Sequence, residues 1–345
     1  MYICTKRIEL SMKKFIGFAF FLLWLLLFTS CEEEKTDFRF YRRLIIIPVT
    51  IEGRSYSFLF DTGGGTSTIS GRIAAEHGLK SKPSKITTYD ISEGRKRTVM
   101  LSEPVEIKIG GKTVTTQFDV SDTYQNSVYD GIIGMDIIGK YNWLFDFEDK
   151  TISISDGFLF PTLDDSWMRQ ASYRYSESFG VPFISMNIND SRKQDFYFDT
   201  GMYDGYYDST SRKYLYYSFV FNEHQNSALT RFKRIMSPAD KITHHVASNQ
   251  TYNVMYSMKG TINGVGHSPF ASAIYKNRES RYKVLKERKL LNIVTVNYLH
   301  HYDGMYIDTK LNRVSFYNKN GKSDRDNGED VQWFYEKQFG FRDSY

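Results

Sequence analysis

Phe58-Leu59-Phe60-Asp61-Thr62-Gly63-Gly64 and Phe196-Tyr197-Phe198-Asp199-Thr200-Gly201 share one pattern, an apolar run that ends on Asp-Thr-Gly. Reading outward from each, the flanks match as well. Upstream of the first lie Pro48-Val49-Thr50-Ile51 and the turn Glu52-Gly53-Arg54; upstream of the second lie Val181-Pro182-Phe183-Ile184-Ser185-Met186-Asn187-Ile188 and the turn Asn189-Asp190-Ser191. Both read as strand, turn, strand. Downstream, Asp130-Gly131-Ile132-Ile133-Gly134-Met135-Asp136-Ile137-Ile138 leads to Tyr141, and Asn292-Ile293-Val294-Thr295-Val296-Asn297-Tyr298-Leu299 leads to Tyr302. Each copy then closes in a hairpin, with Asp146 spaced from Ile152 as Asp308 is from Val314. Similarity at both ends of two units is the mark of a duplication.

The chemistry follows from the carboxylates. An aspartate at the end of an apolar strand is costly to desolvate unless it is used. Gly63 and Gly201 let the chain turn tightly and bring amides near the carboxylate. Thr62 and Thr200 can hydrogen-bond across a symmetry axis and lock two such loops face to face. Asp61 and Asp199 would then lie too close to ionise together and would share one proton. One carboxyl acts on water as a general base, and the other acts on a carbonyl as a general acid. That pairing suits peptide hydrolysis with neither metal nor covalent intermediate.

These residues resemble the aspartic peptidases of the retropepsin and pepsin clan. Phe58 to Gly64, taken with Ile132-Ile133-Gly134, looks like the catalytic loop and the strand that crosses behind it. The run from Gly134 to Phe147 is especially like the retropepsin-like bacterial members. The resemblance implies an all-β-dominated fold of two β-barrel lobes with a few short helices. It implies Asp61 and Asp199 as the catalytic pair, with Thr62, Gly63, Gly64, Thr200 and Gly201 as the supporting loops. It also implies a substrate cleft under a hairpin flap, for which Thr88 to Thr98 is the candidate; Gly94 lies near its tip and Tyr89 is available to touch substrate. The flap stretch also reads as an ordinary surface hairpin. No cofactor is required, a peptide or protein is the expected substrate, and one chain suffices, so a monomer is expected.

Two departures from the pattern keep a second reading open. Met202 stands where Gly64 stands in the first copy, and Thr295 where Gly134 does. Met202 is expected either to crowd the carboxylates or to turn away, and the second loop to sit differently. In the second reading the fold is catalytically degenerate and serves as a surface peptide-binding or assembly lipoprotein.

The N-terminus reads as an address. Lys13 and Lys14 precede the uncharged run FIGFAFFLLWLLLF, residues 15–28, too short to span a bilayer and apt for a secretory signal peptide. Leu27-Phe28-Thr29-Ser30-Cys31 resembles a bacterial lipobox, which makes Cys31 the lipidated residue of a cell-envelope lipoprotein; an ordinary cleaved signal with an incidental cysteine is the alternative. Glu32-Glu33-Glu34 reads as a surface-export signal or as a solvated linker. The expected organisation is a signal peptide at 1–30, an anchor linker at 31–44, lobes at 45–157 and 180–320, a connector at 158–179 and a tail at 321–345.

Composition narrows the field. The chain has 345 residues, 41% hydrophobic, 25% charged and 16% aromatic, an ordinary globular mix that excludes disorder and a disulfide scaffold. Residues 1–30 hold four basic side chains and one acidic one, so their removal takes the net charge from +5 to +2 and weakens any case for nucleic acid. The basic run at 275–289 reads as a solvated helix face. His244-His245 and His300-His301 are adjacent pairs, which on a strand point to opposite faces, so no metal site is expected. No HExxH, CxxC, Gly-x-Ser-x-Gly or phosphate-binding Gly-rich motif occurs.

Overall fold

Glu52 and Gly53 both adopt positive φ, 47° and 81°, the requirement of a two-residue type I′ turn. The turn sets Ile51 opposite Arg54 and pairs Leu44–Ile51 with Arg54–Phe60. Ile45, Ile47, Val49 and Ile51 are fully buried along that hairpin, as are Phe58 and Phe60. This computed structural model describes residues 34–90, 95–121, 128–157, 159, 168–176, 181–187, 193–203, 205–208, 213–222, 236–238, 252–257, 260–262, 265–267, 270–275 and 292–318.

Strand order repeats between the two copies. In the first, Arg54–Phe60 lies parallel to Gly131–Ile133, which is antiparallel to Thr68–Ser70. Thr68–Ser70 runs parallel to Asp119–Ser121, which meets the hairpin strand Arg95–Ser102. In the second, Gln194–Asp199 lies parallel to Asn292–Thr295, which is antiparallel to Lys213–Asn222. Lys213–Asn222 runs parallel to Phe270–Tyr275, which pairs with Tyr252–Ser257. The register agrees: Ile132 faces Leu59 and Ile293 faces Tyr197, each two residues before its aspartate. The architecture is β-dominated and two-lobed. Its helices are short: Gly71–Glu76, capped by the Ser70 hydroxyl, Met135–Ile138, and a 3-10 turn at Val296–His301.

The closing hairpins join the copies. Asn142–Asp146 pairs antiparallel with Gly304–Asp308, and Leu144 sits opposite Tyr306. Trp143 faces Ile307 and Phe145 faces Met305, so the pairing is unchanged when the copies are exchanged. An approximate two-fold axis therefore passes through the Leu144–Tyr306 pair. Lys150 and Asn312 take positive φ at matching places in the two hairpin turns. Behind the first Asp-Thr-Gly loop, Phe60 packs edge-on against Trp143 and Phe145, with ring centroids 5.1 and 4.8 Å away. Such buried aromatic contacts are worth about 0.5–1.5 kcal/mol each beyond the area they bury.

Some segments do more than their sequence suggests. The stretch read as an anchor linker carries strands Thr36–Asp37 and Arg39–Tyr41, and Phe38 between them is buried against Phe145. The stretch read as a connector carries Met168–Ser176, which pairs with both Arg313–Tyr317 and Val181–Met186. Thr36–Asp37 forms an edge of the large sheet beside the closing hairpin of the first copy, whereas Met168–Ser176 lies within that sheet, between the closing hairpin of the second copy and Val181–Met186. His300 and His301 lie in the 3-10 turn rather than on a strand. His300 Nε2 is 3.1 Å from the Arg43 carbonyl, and His301 Nε2 is 3.1 Å from the Ser218 hydroxyl.

The signal segment, Cys31 and Glu32-Glu33 lie outside the described residues. So do Gly94, the Asn189-Asp190-Ser191 turn, His244-His245, the basic run from 276 onward and the tail. Among the described residues, no helix is long and apolar enough to cross a membrane.

Candidate active site

Asp61 and Asp199 each end a buried strand, and each is turned by its own loop toward the other. The strand behind sets the first loop: the Asp61 amide donates to the Ile133 carbonyl at 3.0 Å, and the Met135 amide to the Gly64 carbonyl at 2.7 Å. The two loops are then locked through their threonines. The Thr62 hydroxyl donates to the Phe198 carbonyl at 2.7 Å and accepts from the Thr200 amide at 3.1 Å. The Thr200 hydroxyl donates to the Phe60 carbonyl at 2.8 Å and accepts from the Thr62 amide at 3.0 Å. Both threonines are buried, so all four bonds form away from water.

Valine in place of Thr200 keeps the shape and removes the hydroxyl, leaving the Phe60 carbonyl and the Thr62 amide without partners. At about 1–3 kcal/mol per orphaned buried group, Thr200→Val is expected to cost about 2–6 kcal/mol in urea unfolding. Thr200→Ser, which keeps the hydroxyl, is expected to cost much less.

The glycines bring the carboxylates together. A Cβ at Gly63 would lie 2.5 Å from Cγ and Oδ1 of Asp199, and one at Gly201 would lie 2.3 Å from Cγ of Asp61. Each glycine of one loop therefore faces the carboxylate of the other. The Gly63 amide donates to Asp61 Oδ1 at 2.7 Å and the Gly201 amide to Asp199 Oδ1 at 3.0 Å. Burial pushes the Asp61 carboxyl up, against the amides of Gly63, Gly64 and Gly201, which favour its charge. Burial and the Asp61 charge push Asp199 well above the ordinary carboxylate range. Carboxyls raised together in this way share one proton.

Residues 47–137 match the sequence-family description Aspartyl protease. The match contains the Asp61 loop and Ile132-Ile133-Gly134 and stops before the second copy. No curated protein matches the chain. For residues 181–317, the likeness to the protease-like first copy therefore rests on the internal symmetry described above.

That symmetry extends through both departures from the sequence pattern. The Met202 carbonyl accepts from the Val296 amide at 3.1 Å, the counterpart of the Gly64–Met135 bond. The second loop is latched like the first, contrary to the expectation that it sits differently. At Gly134 a Cβ would meet the Gly64 carbonyl oxygen at 2.7 Å. Thr295 is accommodated at the equivalent place. Its hydroxyl donates to the Tyr217 carbonyl at 2.5 Å and accepts from the Asn297 amide at 3.2 Å, capping the 3-10 turn.

The structure thus brings Asp61, Thr62, Gly63, Gly64, Asp199, Thr200 and Gly201 into one site. Tyr89 lies on the strand Ser81–Asp90, paired with Lys96 near the end of a hairpin. Arg97 ties that hairpin down through both its terminal nitrogens to the buried Asp119 carboxylate, which also accepts from the Met100 amide at 3.0 Å. Among the described residues, no group of three or more His, Cys, Asp or Glu side chains is placed to hold a metal ion.

Sequence reading missed Tyr197 and Asp136. The Tyr197 hydroxyl donates to the Gly63 carbonyl at 2.7 Å. Its signal was a polar tip between Phe196 and Phe198 where the first copy has Leu59. Asp136 Oδ1 accepts from the Ser67 amide and hydroxyl at 2.8 and 2.6 Å, and the Ser67 hydroxyl accepts from the Gly134 amide at 2.9 Å. This braces the chain just after the first Asp-Thr-Gly loop.

Proposed function

We propose that the protein is an aspartic endopeptidase that hydrolyses a peptide bond with a water held between Asp61 and Asp199. The observation that carries this reading is the mutual approach of Gly63 to the Asp199 carboxylate and of Gly201 to the Asp61 carboxylate. Such contacts leave the two carboxyls side by side, with one proton between them. The ionised carboxyl takes a proton from water as the oxygen attacks the scissile carbonyl. The protonated one donates to the carbonyl oxygen, giving a neutral tetrahedral diol. Collapse of the diol transfers a proton to the leaving nitrogen, and the pair returns to its starting state. The substrate is a peptide or protein segment laid across the pair, with the flap stretch Thr88 to Thr98 as its cover and Tyr89 as a contact.

The signal architecture and the Cys31 lipobox support a lipid-anchored protein of the cell envelope, acting as a monomer on peptides there. The bond from Val296 to Met202, which repeats that from Met135 to Gly64, weighs against the degenerate binder. The test is cleavage of a peptide library by the full chain from acidic to neutral pH. Cleavage is expected. None by folded protein would favour a peptide-binding role.

A further inference from the structure

The Ser81–Ser102 hairpin has two halves. Near its base Lys82 faces Leu101 and Pro83 faces Met100; farther out Thr87 faces Thr98 and Asp90 faces Arg95. Ser84, Lys85 and Ile86 thus stand opposite Val99 alone, a bulge that interrupts the ladder. The Ser84 hydroxyl accepts from the Ile86 amide at 3.0 Å, so the bulge is bonded to itself. The base is fixed to the sheet: the Ser102 amide donates to the Phe118 carbonyl at 2.8 Å, and the Phe118 amide to the Ser102 hydroxyl at 2.9 Å. The outer half carries most of the flap stretch Thr88 to Thr98. Arg97 belongs to that half, and its guanidinium reaches back to both carboxylate oxygens of Asp119, with Nη1 3.0 Å from Oδ1. Asp119 is buried, and its carboxylate also accepts from the Met100 amide on the base side of the bulge. Its own amide donates to the Ser67 carbonyl at 2.9 Å. Ser67 is bonded in turn to Asp136 and to the Gly134 amide. One buried carboxylate therefore links the outer hairpin to the brace of the Asp61 loop.

We propose that Arg97 and Asp119 are positioning residues, a latch that sets the outer half of the hairpin at a fixed place relative to the Asp61 loop and so over a peptide bound there. A planar guanidinium fork on a carboxylate fixes direction as well as distance. An ammonium would neutralise Asp119 without fixing direction. The strand on the other side of the hairpin meets it at Leu101, and Ser81–Asp90 is the edge of its sheet. Freed of its latch, the outer half is a two-stranded ribbon, which is marginal by itself, and the bulge is where it bends. Peptide binding must then order the ribbon. That cost falls equally on bound substrate and transition state, so KM rises and kcat holds. The inference rests on the peptidase reading for this kinetic consequence and not for the latch itself.

Two variants of the full chain test it. Arg97→Met combined with Asp119→Asn removes the fork without leaving a buried charge alone, and Arg97→Lys keeps the charge and loses the fork. The first readout is amide hydrogen exchange. At Thr87–Asp90 and Arg95–Thr98 the double variant is expected to exchange at least about 10-fold faster than the wild type, with Leu101 and Ser102 unchanged. The second is peptide-cleavage kinetics, in which KM is expected to rise about 5- to 10-fold with kcat held within about 2-fold. Arg97→Lys is expected to move both in the same direction by less, and it serves if the double variant does not fold. Outer-half exchange no faster than wild type in folded protein would overturn the proposal. So would faster exchange at the base as well, the mark of an ion pair that only stabilises the fold, and so would a loss of kcat with KM unchanged. Faster outer-half exchange in a protein that cleaves nothing would support the latch and count against the peptidase reading alone.

Discussion

Gly201→Ala and Gly63→Ala are each expected to lower kcat/KM by at least about 100-fold. The obstacle is one of position and not of backbone strain. Neither glycine has a positive φ, unlike Gly53, Gly78 and Gly110, so alanine is free to adopt the backbone of either loop. The added methyl, however, would stand 2.3–2.5 Å from the Asp61 carboxyl atoms at Gly201, and 2.5–2.7 Å from those of Asp199 at Gly63. One carboxyl or one loop must then shift, and a displacement of about 1 Å at reacting groups is enough for a loss of about that size. Two comparisons separate the site from the fold. Gly64→Ala would bring a methyl only to 3.3 Å from Asp61 Oδ2, so a smaller loss is expected. Gly53→Ala strains a turn with nothing within 4 Å, and is expected to lower stability while leaving turnover intact. Peptide-cleavage kinetics alongside thermal unfolding distinguish the four.

Asp199→Asn is expected to raise the melting temperature at neutral pH by at least about 2 °C. The native Asp199 carboxyl titrates well above its reference value of 3.8, chiefly because it is buried and then because Asp61 is charged. Between the unfolded and native values the folded state binds the extra proton, so stability falls as pH rises through that window. Below the unfolded value both states are protonated and the penalty is absent. The gain from asparagine should therefore be present at pH 7 and shrink or vanish near pH 3, as read by calorimetry at both values. Equal melting temperatures at pH 7 would mean that the pair carries no such penalty. The expected trade, a more stable protein without its activity, is common where like charges are forced together for function.

The parts of this site that were legible in the sequence are those whose chemistry lies within a few consecutive residues. Asp-Thr-Gly after an apolar strand declares a costly carboxylate and a tight turn, and its second occurrence at a matching place declares the partner. The cross-axis role of Thr62 and Thr200 followed from the same symmetry. Thr295 was harder. Read against Gly134 it counted as a lost glycine, whereas its hydroxyl caps the turn that follows and bonds the Tyr217 carbonyl. Tyr197 was hidden for a different reason: between two phenylalanines an aromatic residue reads as core packing, and only the fold puts the Gly63 carbonyl within reach of its hydroxyl. The Leu144–Tyr306 pairing depends on how two distant hairpins meet, which no local pattern encodes. Thr36–Asp37 and Arg39–Tyr41 were likewise too short to show periodicity, and their strands exist because longer neighbours offer them edges.

In the proposed reaction one aspartate from each copy acts on one water. Its most direct measurement is the rate at which folded Asp61→Asn and Asp199→Asn proteins cleave the same peptides as the wild type. Both are expected to fall by about 1,000-fold or more, since each removes one of two proton-transfer groups that work as a unit. Wild-type cleavage that persists in folded Asp199→Asn protein would contradict it.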